Sequence, residues 1–416
     1  PREPQRQMPK HEMTMDQGKV TALMEWAAAA GLAGFDDAQL LDGFCTRIAD
    51  AGLPLRRALI GLDRLHPTVE SSNYLWQRGS GTTEWQDFKR AATPEVEAHW
   101  LSSPFHFMMT NETRWLHRPI SAAPQDSEFP IFDDLRKEGD TDYLAALTPF
   151  AEGPLQDVDG LYSSWSTDHE GGFSESQINA LQRLIPSLGL AYKSLSTSQQ
   201  AETLVATYLG RDAGKRVLAG NIQRGVAERI SAVLWLSDLR GFTRIADSVP
   251  GDQIVPLLSD YAEALVTAIH AHDGHVLKFM GDGLLAIFQG EDMACACQHA
   301  IAAADKAGDQ VEALNTRRSA QDLPITDFYL GLHLGEVFYG NIGSQDRLDF
   351  TVVGPAVNEV SRIESMCRAL EQDVILSAAF AEAAKHSQDR LVALGRYALR
   401  SVRQPQQLFT LDPGAA

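Results

Sequence analysis

A pair of strand-like runs joined by a glycine-bounded aspartate constrains the fold of this chain more than any other feature. The runs cover residues 275–280 and 284–288, and Gly281-Asp282-Gly283 separates them. Because a short glycine-bearing connection between two apolar runs favours a β-hairpin, the segment predicts two neighbouring antiparallel strands. The turn then holds Asp282 at the tip of the hairpin.

Strands and amphipathic helices alternate on both sides of this hairpin. A buried-type strand and an amphipathic helix come before it, at residues 230–236 and 254–272. After it come a helix, three strands and a further helix, at residues 293–315, 328–334, 336–342, 349–353 and 356–369. This β-α-β-β-α-β order, with extra strands towards the C-terminus, predicts an α+β domain that resembles the ferredoxin-like arrangement.

Two aspartates stand where this arrangement brings strand ends together. A hydrophobic strand ends at Asp238, and Asp282 occupies the hairpin tip. If the hairpin lies beside that strand, the two carboxylates converge at one edge of the sheet. Such a pair suits Mg²⁺, which completes its coordination with phosphate oxygens and water. Either aspartate alone is more often a turn former or a helix cap, so the prediction depends on the pair.

Asn358 and Arg362 form a second candidate group. They lie four residues apart in a predicted helix, so they share one face of it. An amide and a guanidinium that point the same way can steady a ribose oxygen and a phosphate. The alternative is that Arg362 only pairs with a nearby acid, Glu364 or Glu359.

Four linked motifs give these residues a context. In chain order they are SDLRGFT, LKFMGDGLLAIF, GLHLGEVFYGNIG and DFTVVGPAVNEVSRIES. Their order and spacing resemble the class III nucleotidyl cyclase catalytic domain, and the resemblance covers roughly residues 228–411. It implies an enzyme that forms a 3′,5′-cyclic nucleotide and pyrophosphate from a nucleoside triphosphate.

The resemblance also implies roles for individual residues. Asp238 and Asp282, with the backbone carbonyl of Leu239, match the ligands of two metal ions, Mg²⁺ or Mn²⁺. Lys278, four residues before the second aspartate, matches the lysine that reads the adenine ring. These assignments predict a phosphorus–oxygen lyase of the two-metal-ion type.

The triphosphate is expected to meet two further regions. Gly241 allows a tight turn, followed by Phe242 and Thr243, whose backbone N–H groups face a phosphate. The resemblance implies a basic residue from the C-terminal strands as well. Arg400 and Arg403 are the candidates.

Substrate choice depends on Lys278 and Thr351. Adenylate cyclases often carry Asp at the position of Thr351, and Thr resembles the subgroup that includes bicarbonate-responsive enzymes. Lys278 favours ATP, because guanylate cyclases typically have Glu there. The sequence therefore predicts an adenylate cyclase. The alternatives are a cyclase acting on GTP or another triphosphate, and a catalytically idle module for nucleotide binding or dimerisation.

The family resemblance predicts a homodimer with composite sites. One catalytic domain supplies the aspartates, and its partner supplies the lysine, the Thr-type residue, and Asn358 and Arg362 as transition-state groups. This chain carries the whole set once. Two equivalent sites per homodimer, and an inactive monomer, are therefore expected.

The N-terminal half predicts an α+β sensor module. A helical pattern at residues 20–51 precedes short strand-like segments and a helix that opens at Ser174. This order of elements resembles a GAF-type ligand-sensing domain for an unidentified small molecule that regulates the cyclase. Its aromatic residues either line a ligand pocket or form an ordinary core; they include Trp76, Trp85, Trp100 and Trp165.

Four segments make up the predicted organisation of the chain. They are a flexible tail (1–19), the GAF-like sensor (20–195), a helical coupling linker (196–226) and the cyclase catalytic domain (227–416). A helix that leaves one domain and enters the next without a flexible break suits mechanical coupling.

The net charge and the hydropathy of the chain argue against some classes of binding partner. Lys and Arg number 36 against 55 Asp and Glu, for a formal net charge of −19. This acidity argues against a surface that grips nucleic acid or an anionic membrane. The sequence has no apolar run of membrane-spanning length and no signal-like start, so a cytoplasmic location is expected.

Overall fold

The computed structural model describes residues 16–90, 93–120, 128–155, 159–400, 402 and 404–412. The chain divides into two compact units between Thr203 and Leu204. Most of the predicted tail lies outside the described residues, and its end differs from the prediction because helix α1 already begins at Gln17. None of the helices in these described ranges has the length and hydrophobicity of a transmembrane span.

The N-terminal unit is a six-stranded antiparallel sheet with helices around it. Its helices are α1 (Gln17–Ala33), α2 (Asp37–Asp50), α3 (Pro94–Leu101), α4 (Pro104–Thr110), α5 (Ile131–Glu138) and α6 (Glu175–Leu209). Its strands are β1 (Arg57–Asp63), β2 (Val69–Gln77), β3 (Glu84–Lys89), β4 (Trp115–Pro119), β5 (Asp142–Pro149) and β6 (Gly160–Thr167). The strand order is β3-β2-β1-β6-β5-β4. The sequence pattern missed β3, whose residues are nearly all exposed and therefore lack an apolar period.

The helical pattern at residues 20–51 is two helices. Gly34 ends α1 in the left-handed conformation, and Asp36 opens α2 with a capping box to Gln39. The core of this unit contains one face of α2 with parts of α1, α6 and the sheet. Trp76 and Trp165 belong to that core. Trp85 and Trp100 are instead 65% and 38% exposed, so these four tryptophans do not line one common pocket.

Helix α6 is one continuous element of 35 residues. The sequence predicted a second helical stretch opening at residue 196, but this stretch continues the helix that follows Ser174, which runs through Pro186 without a break. The helix ends at Leu209, because Gly210 has a φ of 85° and starts the short helix α7 (Arg211–Leu218).

The C-terminal unit contains an eight-stranded sheet in the order β13-β14-β12-β10-β7-β9-β8, with β11 paired to β10. Its strands are β7 (Ala227–Leu239), β8 (Gly274–Met280), β9 (Gly283–Phe288), β10 (Phe328–Gly343), β11 (Leu348–Val353), β12 (Val374–Ser377), β13 (Leu391–Tyr397) and β14 (Gln406–Leu411). Its helices after α7 are α8 (Phe242–Ser248), α9 (Gly251–Ala271), α10 (Met293–Ser319), α11 (Pro355–Leu370) and α12 (Ala378–Ala383). The elements from β7 to β10 follow the predicted β-α-β-β-α-β order.

The two faces of this sheet carry different helices. Val233 and Trp235 of β7 pack with α9 and α10, whereas Leu234 and Leu236 pack with α7 and α11. The strands predicted at 328–334 and 336–342 form the single strand β10. Gly335, at their junction, stays extended and pairs with β7.

Candidate active site

Asp238 and Asp282 are brought together by the pairing of β7 with β9. That antiparallel pair runs up to Ser237, so Asp238 lies beside the turn that joins β8 to β9. The turn consists of Gly281, with a φ of 69°, and Asp282. A left-handed residue at this turn position favours glycine in short hairpins. The side chains of the two aspartates are in hydrogen-bonding contact.

The electrostatics of this contact are those of two like charges held together. Burial, and after it the charge of Asp282, raises the pKa of Asp238 from 3.8 to about 6. Gly283 permits the close approach. A Cβ there would lie 3.1 Å from the carbonyl oxygen of Ser237 and 3.3 Å from Oδ1 of Asp238. A divalent cation at this point would replace repulsion with attraction, so the pair fits a metal site.

The donor set suits an ion that shares its coordination with a substrate. The described residues hold no cluster of three or more His, Cys, Asp or Glu side chains that could bind a metal. Mg²⁺ commonly takes only one or two carboxylates and fills its other positions with phosphate oxygens and water. Leu239 follows at the end of β7 and is 4% exposed, and its backbone N–H donates to Asp238.

Glu364 is a nearby acid whose position the sequence did not reveal. It lies on α11, and its pKa is raised to about 7 by burial and by the charges of Asp238 and Asp282. The sequence placed it only as a partner for Arg362. Its position two residues after Arg362 gave no signal that the charges of the aspartates reach it, because that proximity depends on how α11 packs on the sheet.

The two base-reading candidates lie on β8 and β11. Lys278 is half-buried on β8 and makes no hydrogen bond or ion pair with any described residue. Thr351 is 5% exposed on β11, and its hydroxyl has no hydrogen-bond partner among the residues described. A buried orphan hydroxyl costs about 1–3 kcal/mol, so a ligand that satisfies it would recover that free energy.

Asn358 and Arg362 share a face of α11, as the four-residue spacing predicted. Neither side chain forms a hydrogen bond or ion pair within the described part of the chain. The alternative in which Arg362 pairs with Glu359 or Glu364 is therefore not seen, and Glu359 instead lies 3.7 Å from Nε2 of His333. An amide and a guanidinium are thus left available for a ligand.

The C-terminal unit also matches a known family. Residues 226–413 match the family model described as the adenylate and guanylate cyclase catalytic domain. Most of this unit thus resembles a nucleotidyl cyclase catalytic domain. The family description names both activities, so the match does not distinguish ATP from GTP.

Relatives of the chain include both uncharacterised and named proteins. An uncharacterised protein of Mycobacterium tuberculosis strain H37Rv is 28% identical over 57% of this chain and 42% of its own length. The adenylate cyclase of Anabaena cylindrica is 31% identical over 38% of this chain and 31% of its own length. The chain thus spans less than half the length of these relatives.

A solved structure also resembles the cyclase domain. The adenylyl cyclase CyaB from P. aeruginosa aligns with a TM-score of 0.42 and 22% identity, over 45% of this chain and 96% of that one.

The candidates for contact with the triphosphate lie at the start of α8 and in the turn after β13. Gly241 has a φ of 67°, and Phe242 and Thr243 then open α8 directly after the strand that carries Asp238. Arg400 is exposed in the turn that follows β13, and its contact with the phosphates stays a prediction. Arg403 lies outside the described residues.

Proposed function

We propose that this protein is an adenylate cyclase that converts ATP to 3′,5′-cyclic AMP and pyrophosphate at the interface of a homodimer. The observation that carries the proposal is the contact between Asp238 and Asp282 at the edge of the sheet. A site for a multiply charged cation, shared with a polyanionic ligand, gives this half-buried like-charge pair a use.

The residues of the chain divide the work of binding and catalysis. Asp238, Asp282 and the Leu239 carbonyl would hold two ions, Mg²⁺ or Mn²⁺, which supply Lewis-acid stabilisation of phosphate charge when bound. Asn358 would orient the ribose, and Arg362 would stabilise the charge that builds on the α-phosphoryl group. Both have side chains without partners in the described protein.

Lys278 and Thr351 would read the base. The lysine ammonium donates to a ring nitrogen of adenine, and the orphan hydroxyl of Thr351 accepts from its amino group. A hydroxyl also donates, so discrimination against GTP should be weaker than with a carboxylate. A cyclase for GTP or another triphosphate is the second candidate.

The test is to incubate the purified protein with each nucleoside triphosphate and Mg²⁺ or Mn²⁺, then identify the products. We expect 3′,5′-cyclic AMP and pyrophosphate from ATP, and no product with Asp238→Asn. Asp309→Asn on the exposed face of α10 is the charge-matched control and should leave activity unchanged. Nucleotide binding without any cyclic product would identify the idle module instead.

We infer further that the N-terminal unit is a GAF-like sensor that regulates this activity. Its support is a six-stranded antiparallel sheet with helices before it and a long helix after it. Its ligand and a cytoplasmic location stay predictions of the sequence.

A further inference from the structure

The junction between α6 and α7 touches the strand that carries Lys278. Gly210 forms this junction with a φ of 85°. A Cβ on Gly210 would lie 2.4 Å from the carbonyl oxygen of Val276, in β8. Glycine is therefore required twice here, for its backbone conformation and for the close approach. The helix end and the strand cannot move independently at this point.

The strand is bulged at the point of contact. Val276 pairs with Ala286 and Lys278 with Leu285, so Leu277 is an extra residue with no opposite partner. A bulge of this kind re-aims the side chains that follow it.

The bulge decides which face of the sheet Lys278 occupies. Val276 packs against the core with α9 and α10, while Leu277 packs with Leu285 on the α7 and α11 face. Because cross-strand neighbours share a face, Lys278 lies on the Leu285 side as well. In a regular pleat, Lys278 would share the face of Val276 instead. The bulge therefore determines on which face of the sheet Lys278 lies.

Several contacts hold helix α7 against the same face of the sheet as Lys278. Ala213 is buried in the same apolar cluster as Leu277. The Tyr339 hydroxyl donates to Oδ2 of Asp212 at 2.9 Å, and Arg216 donates to the same carboxylate at 2.9 Å. The Arg216 guanidinium also lies 5.1 Å from the centre of the Tyr339 ring. Together these contacts hold α7 against β10 and, through the apolar cluster, against β8.

We propose that the α6–α7 junction positions Lys278 by holding the bulge in β8, so that Gly210 is a positioning residue for recognition of the nucleotide base. This inference rests on the proposed function. Since α6 is continuous from Glu175 to Leu209, a shift of its end acts on the base-reading lysine before it acts on the aspartates. We therefore expect regulation through α6 to change the KM for the nucleotide and the preference for one base over another.

The test compares Gly210→Ala with Gly220→Ala in the full-length chain. Gly220 also has a positive φ, 94°, but a Cβ added there would meet no neighbouring atom within 4 Å, so its substitution reports backbone strain alone. We expect Gly210→Ala to raise KM for ATP about tenfold, the scale of one lost substrate hydrogen bond, with kcat changed less than about threefold. Preference for ATP over GTP should fall, and the Mg²⁺ dependence should stay that of wild type.

A readout independent of catalysis separates this inference from the proposed function. Acetylation of Lys278 by an amine-reactive reagent, followed by mass spectrometry, should run roughly threefold faster in Gly210→Ala than in Gly220→Ala, because the bulge is released. Wild-type protein without any cyclase activity would overturn the proposed function. A folded Gly210→Ala with the KM and labelling rate of Gly220→Ala would overturn the positioning role.

Tyr339→Phe keeps the test decisive if Gly210→Ala does not fold. It removes only the hydroxyl that ties Asp212 of α7 to β10, so the fold is retained while α7 is loosened from the sheet. We expect the same direction of change in KM and in Lys278 labelling, at a smaller size. Unchanged values in this variant would contradict the proposal.

Discussion

At the scale of single residues, the site is defined by groups that the fold leaves unsatisfied. Two carboxylates contact each other, a buried hydroxyl at Thr351 lacks a partner among the described residues, and none of those residues pairs with Lys278 or Arg362. The contact between the carboxylates and the buried orphan hydroxyl are both unfavourable in the free protein. Metal ions, phosphate and a nucleotide base are the ligands that would satisfy these groups together.

The pKa of Asp238 predicts how metal binding depends on pH. Because the pKa is raised to about 6, a proton competes with the ion at mildly acid pH. Metal affinity without nucleotide should fall about tenfold from about pH 7.5 to about pH 5, as measured by Mn²⁺ titration. Asp282→Asn should abolish tight binding at both values. An affinity that stays constant over this range would contradict the assignment.

The same raised pKa has a defined effect on stability without metal. The folded protein holds this proton more tightly than the unfolded chain, in which the pKa is 3.8. The stabilisation from Asp238 is therefore present below about pH 4 and lost as the pH rises through about 6.

Thr351→Val is expected to separate stability from substrate recognition. Valine has nearly the same shape but no orphan hydroxyl, so the free energy of unfolding should rise by about 1 kcal/mol. Thermal unfolding without nucleotide measures this gain. The same variant should lose part of its preference for ATP over GTP, measured as kcat/KM for each. A variant that is less stable than wild type would show that the hydroxyl has a partner within the protein.

At the scale of elements, the sequence predicted which strands and helices exist better than how they touch. The Gly281-Asp282-Gly283 hairpin and the helix with Asn358 and Arg362 follow from local spacing alone. The bulge at Leu277, the close approach of Gly210 to β8 and the position of Glu364 depend on contacts between distant parts of the chain. The local periodicity of the sequence does not indicate those contacts.

The packing of α11 on β10 is one such contact, and it depends on Gly331. A Cβ there would lie 2.8 Å from the backbone nitrogen of Glu364 and 3.0 Å from the carbonyl oxygen of Val360. Gly331→Ala should therefore displace α11, which carries Asn358 and Arg362. We expect a loss of about 1–3 kcal/mol in the free energy of unfolding, measured in urea, and a larger fall in kcat than in metal affinity.

Gly308→Ala is the matched control for that substitution. Gly308 lies in the interior of α10, and no neighbouring atom lies within 4 Å of a Cβ placed there. Alanine should stabilise this helix by about 0.5–1 kcal/mol and leave kcat unchanged. Equal effects of the two substitutions on the free energy of unfolding and on kcat would show that the packing of α11 does not depend on Gly331.

At the scale of the whole molecule, the proposed function requires an acidic protein to bind an acidic substrate. The net charge of −19 describes the surface, while the proposed site gathers its positive charge from metal ions, Lys278 and Arg362. In the proposed homodimer the aspartates and Arg362 of one protomer serve different sites. The molecule then needs a second copy to bring the two halves of each site together.

Mixing two inactive variants tests this arrangement directly. Asp238→Ala and Arg362→Ala each inactivate both sites of their own homodimer. In a heterodimer, one site receives both wild-type groups and the other receives neither. Random exchange makes half of all dimers heterodimers, so about one quarter of the wild-type activity should return.

The control mixture combines Asp238→Ala with Asp282→Ala, which lie in the same half of the site. Every site in that heterodimer lacks one aspartate, so no activity should return. If heterodimers form and the first mixture stays as inactive as the second, each protomer must hold a complete site. The unpaired Lys278 and Arg362 would then serve the aspartates of their own chain.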